Sequence, residues 1–169
     1  SISQGDPIDL NILIDGTIID FECIGYNSLV SQLAIMIANL YLGGYYYLIK
    51  YASSSYLPYK DKLKDLNKRV HINYRTFSNK ISINYSLDVP KEYKYFIKII
   101  FEFFDHLSND EIKNEIGNYF KYYFIFRFLT PKNILEFSKK DRFLILAIVL
   151  ESYQKFNNYT EISNYFKNL

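Results

Sequence analysis

From Val70 to Leu87, apolar and polar side chains alternate residue by residue except at Thr76-Phe77, with a break at Ser78-Asn79. A period of two marks a strand with one covered face, and an alternation that resumes after a two-residue break predicts an antiparallel hairpin. The pattern assigns Val70, Ile72, Tyr74, Thr76, Ile81, Ile83, Tyr85 and Leu87 to the covered face. It assigns Arg69, His71, Asn73, Arg75, Phe77, Lys80, Ser82, Asn84 and Ser86 to the opposite face. Whatever else the chain forms, it must supply an apolar surface for the first set and leave the second to water or a ligand.

A second hairpin is predicted over residues 8–24, turning at Asp15-Gly16, because both residues tolerate positive φ. Pairing Ile14 with Thr17 gathers Ile8, Leu10, Ile12, Ile14, Ile19, Phe21 and Cys23 on one side and Asp9, Asn11, Asp20 and Glu22 on the other. The rest reads as helix. Asn27 or Ser28 caps an apolar helix over 28–49, with Gly43-Gly44 as its bend or end, and residues 51–68 give a weaker helical pattern broken by Pro58. Asp88 and Pro90 open a helix over 91–107 with Tyr93, Phe96, Ile97, Ile100, Phe101 and Phe104 on one stripe. Ser108 with Glu111, and Ser138 with Asp141, read as capping boxes for helices over 110–129 and up to Phe156. Thr130-Pro131 starts a short helix, and Thr160 caps a last one to Asn168. The expected fold is α+β: a single domain over 1–169, predominantly α-helical, with the 28–49 and 141–156 helices at its centre. The two hairpins would form a small antiparallel sheet on one side.

Composition tempers any functional reading. The chain holds 23 Ile, 18 Tyr, 16 Lys, 15 Asn and 14 Phe, half of its 169 residues. All five have A/T-rich codons, so an abundance of tyrosine is not in itself a binding surface. A net charge of +2 excludes a whole-molecule basic field, and any contact with nucleic acid must rest on local charge. The 27 residues from Cys23 to Ile49 carry no charge, but their Asn, Ser, Gln and Gly-Gly content fits a buried helix better than a membrane span. Residues 1–9 have neither the basic stretch nor the apolar run of a secretory signal. We therefore expect a cytoplasmic protein without a membrane partner.

Chemistry-bearing motifs are scarce. Cys23 is the only cysteine, which excludes an internal disulfide and a Cys-based metal cluster. His71 and His106 lack partners at ligand spacing, and no GxSxG, P-loop or GxGxxG is present. The spacing of Asp9, Asp20 and Glu22 matches no known cation loop. No catalytic residue, metal or cofactor is expected. The outer face of the 70–87 hairpin is the better prospect: Arg69, His71, Arg75 and Lys80 suit phosphates, Asn73 supplies an amide, and Phe77 at the tip could stack on a base. The competing expectation is that this face is only solvated, or pairs with the acidic side of the first hairpin. A helix-turn-helix over 139–169 is disfavoured, because its second helix carries one Lys and no Arg. A protein interface is the other prospect, through Tyr119, Tyr122, Tyr123 and Phe126, where aromatics exceed what one core-facing stripe requires. The chain reads as a non-catalytic accessory subunit of a larger assembly, with a protein partner or a second copy of itself, and plausibly handling nucleic acid. The alternative is a virus or mobile-element protein that binds and modulates a host protein.

Overall fold

The structure is a computed structural model that describes residues 2–3, 25–26, 28–42, 50–51, 65, 67–130 and 133–169. The predicted 8–24 hairpin, with Asp9, Asp20, Glu22 and Cys23, falls outside them. β1 (Ile2–Ser3) pairs antiparallel with β2 (Gly25–Tyr26), with Ser3 opposite Gly25. α1 (Leu29–Leu42) follows, its first turn held by Ser28, whose Oγ accepts from Ser31 N at 3.4 Å.

The strands β3 (Val70–Phe77) and β4 (Lys80–Leu87) form the predicted hairpin in the predicted register, from Val70 opposite Leu87 to Phe77 opposite Lys80. Ser78 opens the turn with φ 33°, the left-handed sign that a two-residue hairpin turn demands at its first position. Among the described residues β1–β2 and β3–β4 are separate two-stranded sheets, not one shared sheet.

Four further helices follow the hairpin among the described residues: α2 (Lys91–His106), α3 (Asp110–Leu129), α4 (Lys139–Lys155) and α5 (Tyr159–Lys167). Several expectations need correction. Asn109, not Ser108, caps α3, because its side chain reaches Ile112 N at 3.1 Å. Asn158, not Thr160, caps α5, accepting from Glu161 N at 2.9 Å while Glu161 accepts in return from both Asn157 and Asn158. The short helix expected at Thr130-Pro131 is instead a single 3-10 turn at Ile134–Glu136, held by Asn133. Phe96, assigned to the core stripe of α2, is exposed, since the buried line runs through Ile97, Phe101 and Phe104.

The centre of the molecule is α3, rather than the expected pairing of α1 with α4. It packs on α1, α4 and α5, while α2 is held by α1 and α5. Phe120, Phe124 and Phe128 recur every fourth residue and bury one line of α3 against Phe101, Phe156 and Phe166. Phe101 and Phe166 stack with ring centroids 5.5 Å apart, and such pairs contribute about 0.5–1.5 kcal/mol beyond their buried area. At Gly117 the backbone of α5 comes so close that a Cβ would lie 2.9 Å from Tyr159 N.

Polar anchors tie the helices together. Asp141 is fully buried at the start of α4, where it accepts from Lys50 Nζ (2.8 Å), Ser138 Oγ (2.9 Å) and the Tyr51 hydroxyl. Ser138 caps the helix as predicted, but its own N–H donates to Tyr51 Oη at 2.8 Å, not to Asp141 as a capping box would have it. Burial pushes the Asp141 carboxyl up, yet the hydrogen bonds and the charge of Lys50 outweigh it and hold the group below its ordinary range. Asp105 fastens α2 to α5 through Lys167 Nζ and Tyr159 Oη, each at 2.6 Å. It too sits below its ordinary range, as Lys167 and Tyr159 overcome the effect of burial. No helix among the described residues is long and apolar enough to cross a membrane.

Candidate nucleic-acid interface

Alternation in β3 and β4 sorts the hairpin into two faces of different fate. The inner face rests on α4 at its root: Val70 is buried and Ile72, Ile83, Tyr85 and Leu87 are partly covered. The Tyr85 hydroxyl donates to Glu151, which also accepts from Lys155 Nζ. Burial, and after it the neighbouring Tyr41 and Tyr165, push the Tyr85 hydroxyl far above the usual phenol range, so it remains a donor. Further out, the Tyr74 ring lies 4.5 Å from that of Phe143, with Lys139 Nζ 5.6 Å above it. Cover ends there. Thr76 and Ile81 were assigned to the covered face, but both are exposed, because the tip extends past the support that α4 provides.

The outer face is open along its whole length. His71, Asn73, Arg75, Phe77, Lys80, Ser82, Asn84 and Ser86 are all exposed, and Phe77 shows 58% of its surface to solvent. The register places them as four cross-strand pairs: His71 with Ser86, Asn73 with Asn84, Arg75 with Ser82, and Phe77 with Lys80. Arg69 does not join them. It is half-buried in a helical turn before β3, and its carbonyl accepts from Asp88 N at 2.8 Å.

The charge balance of this face is one-sided. Residues 69–87 contain Arg69, His71, Arg75 and Lys80 and no Asp or Glu. No described carboxylate lies within ion-pair distance of any of the four. The nearest acid in sequence before the hairpin, Asp65, is taken by Lys68 at 3.2 Å. Further positive charge, missed in the sequence, lies behind the hairpin: Lys139, Lys140 and Arg142 are exposed in the first turn of α4, whereas Asp141 between them turns inward to Lys50. Three cations within four residues were visible in the sequence, but the inward turn of the single acid was not.

The aromatic prospect lies on a different element. Tyr119, Tyr122, Tyr123 and Phe126 are all exposed on the side of α3 opposite Phe120, Phe124 and Phe128. Lys121 Nζ stands 5.4 Å from the ring of Tyr122 and 5.1 Å from that of Tyr153 on α4, joining the outer surfaces of the two helices. On α5 the residues of the disfavoured helix-turn-helix reading divide: Glu161 and Asn164 are exposed. Ile162, Ser163 and Phe166 are buried and Lys167 is committed to Asp105.

Among the described residues, no three His, Cys, Asp or Glu side chains gather in a group that could hold a metal ion. Compared with protein-family models, with curated proteins and with solved structures, the chain matches none.

Proposed function

We propose that this chain is a non-catalytic accessory subunit that carries the β3–β4 hairpin to nucleic acid while docking into a larger assembly through the aromatic side of α3. The observation that carries the reading is the outer hairpin face: fully exposed, cationic, and free of any carboxylate. A face that is merely solvated has no need of one sign, since interspersed charges keep a surface soluble and avoid self-repulsion. Cations with amide and hydroxyl neighbours suit phosphate and sugar contacts, which dominate affinity for nucleic acid. The exposed Tyr119, Tyr122, Tyr123 and Phe126 support the docking part, since tyrosine and phenylalanine are enriched where protein surfaces meet.

The test is binding of short single- and double-stranded DNA and RNA across a salt series, with Arg75→Ala/Lys80→Ala as the comparison. Both side chains are exposed and outside the core, so the variant should fold. Affinity should fall linearly with salt on logarithmic axes, with a slope shallower by about 2 in the variant, at about 0.9 for each phosphate no longer neutralised. Absence of binding at low salt, or an unchanged slope, removes the reading.

A further inference from the structure

We infer that the ligand of the hairpin is duplex DNA, with the outer face of the β3–β4 ribbon lying in the major groove. This rests on the nucleic-acid reading above and narrows it. Three features of the hairpin point this way.

The first is shape. Two paired strands of eight residues make a ribbon about 26 Å long, at about 3.3 Å per residue. The major groove of B-form DNA, about 12 Å wide, admits a two-stranded ribbon. α4 backs the ribbon through Tyr85 at its root and Tyr74 further out, and leaves the tip with Phe77 and Lys80 projecting beyond it.

The second is chemistry. The middle of the face consists of Asn73, Asn84, Arg75, Ser82, His71 and Ser86. These are side chains that address base edges: asparagine pairs with adenine, arginine and lysine with guanine, and serine with either. Phe77, at the end of the row, suits a thymine methyl. A surface for single strands would instead line its face with rings for bases to stack on. Here the strand tyrosines, Tyr74 and Tyr85, lie on the inner face and are engaged with Phe143 and Glu151.

The third is the flanking charge. Lys139, Lys140 and Arg142 are exposed at the start of α4, the end against which Tyr74 rests, and add positive charge behind the ribbon. Double-stranded RNA is disfavoured, because side chains cannot read its deep and narrow major groove.

The experiment uses the full chain with labelled duplex DNA, single-stranded DNA and double-stranded RNA of matched length at low salt, followed by selection from a random duplex pool. The inference predicts about tenfold or greater preference for duplex DNA and enrichment of a defined sequence. Asn73→Ala/Asn84→Ala should lose about tenfold affinity for the enriched duplex, within the discrimination of a good bidentate pair, while random duplex is bound almost as before. Equal or tighter binding of single strands or of double-stranded RNA, or an enriched duplex indifferent to the two asparagines, would overturn the inference and leave the broader reading standing. Failure to bind any of the three overturns both.

Discussion

Replacing Gly117 with alanine should destabilise the protein, against the usual behaviour of a helical glycine. In the interior of a helix the change gains about 1 kcal/mol, because alanine loses less backbone freedom. At position 117 the new Cβ would stand 2.9 Å from Tyr159 N and 3.4 Å from Asn158 Cα. Both atoms are backbone, so no flexible side chain can swing aside. Either α5 moves away from α3, or the Asn158 cap opens. Overpacking of this kind costs about 1–3 kcal/mol, and opening the cap about 1 kcal/mol more. The balance is a net loss of about 2 kcal/mol, or about 4–8 °C in melting temperature for a chain of this size. Thermal melts followed by circular dichroism would measure it, with Asn118→Ala on the exposed side of the same turn as a control that gains slightly. A Gly117→Ala variant that melts at or above the parent temperature would show that α5 does not seat on α3 as described.

Other consequences follow from single contacts. Because the folded Asp105 carboxyl lies below its ordinary 3.8, its stabilisation is complete above that pH and fades as the pH falls through the depressed value. Asp105→Asn should therefore lower the unfolding free energy near neutrality, by about 1 kcal/mol for a pair this exposed, as read from urea titration, and converge with the parent in strong acid; a gap that persists there would place the effect elsewhere. Asn39 is buried, its Nδ2 has no partner among the described residues, and its Oδ1 accepts from Arg127 only at 3.5 Å. An orphaned buried donor costs about 1–3 kcal/mol, so Asn39→Leu should stabilise by about 1 kcal/mol in denaturant titration, and a loss of that size would contradict the geometry. Tyr85→Phe removes the donor that holds β4 to Glu151. It should cost about 1.5 kcal/mol or more and speed amide exchange in β3 and β4 ahead of the helices; unchanged exchange would mean the hairpin is anchored otherwise.

The hairpin was legible in the sequence down to its register because alternation marks one face as covered along the root of both strands, and a two-residue break fixes the pairing; that cover stops short of the tip was not legible. The bounds of α3 were legible for a similar reason, although its cap was assigned one residue early: Ser108 and Asn109 both favour capping, and only geometry chooses between them. The central role of α3 was not legible. Apolar girth reveals that a helix is buried, not which neighbours bury it, and codon bias fills every helix with Ile, Phe and Tyr. Nor could the sequence show the fate of the charges. Asp141 looked like half of a capping box until Lys50 and Tyr51 met it from a distant part of the chain. Whether Arg75 and Lys80 were paired or bare depended on contacts that no local pattern encodes.

The central claim is that the outer face of the β3–β4 hairpin is the contact surface, and a residue-resolved NMR titration of the full chain with short duplex DNA tests it most directly. The account predicts amide shifts gathered between His71 and Ser86, largest at Asn73, Arg75, Phe77, Lys80 and Asn84, with the first turn of α4 following and α5 unmoved. Shifts gathered on α5 or on the Tyr119–Phe126 side of α3, with the hairpin silent, would contradict it.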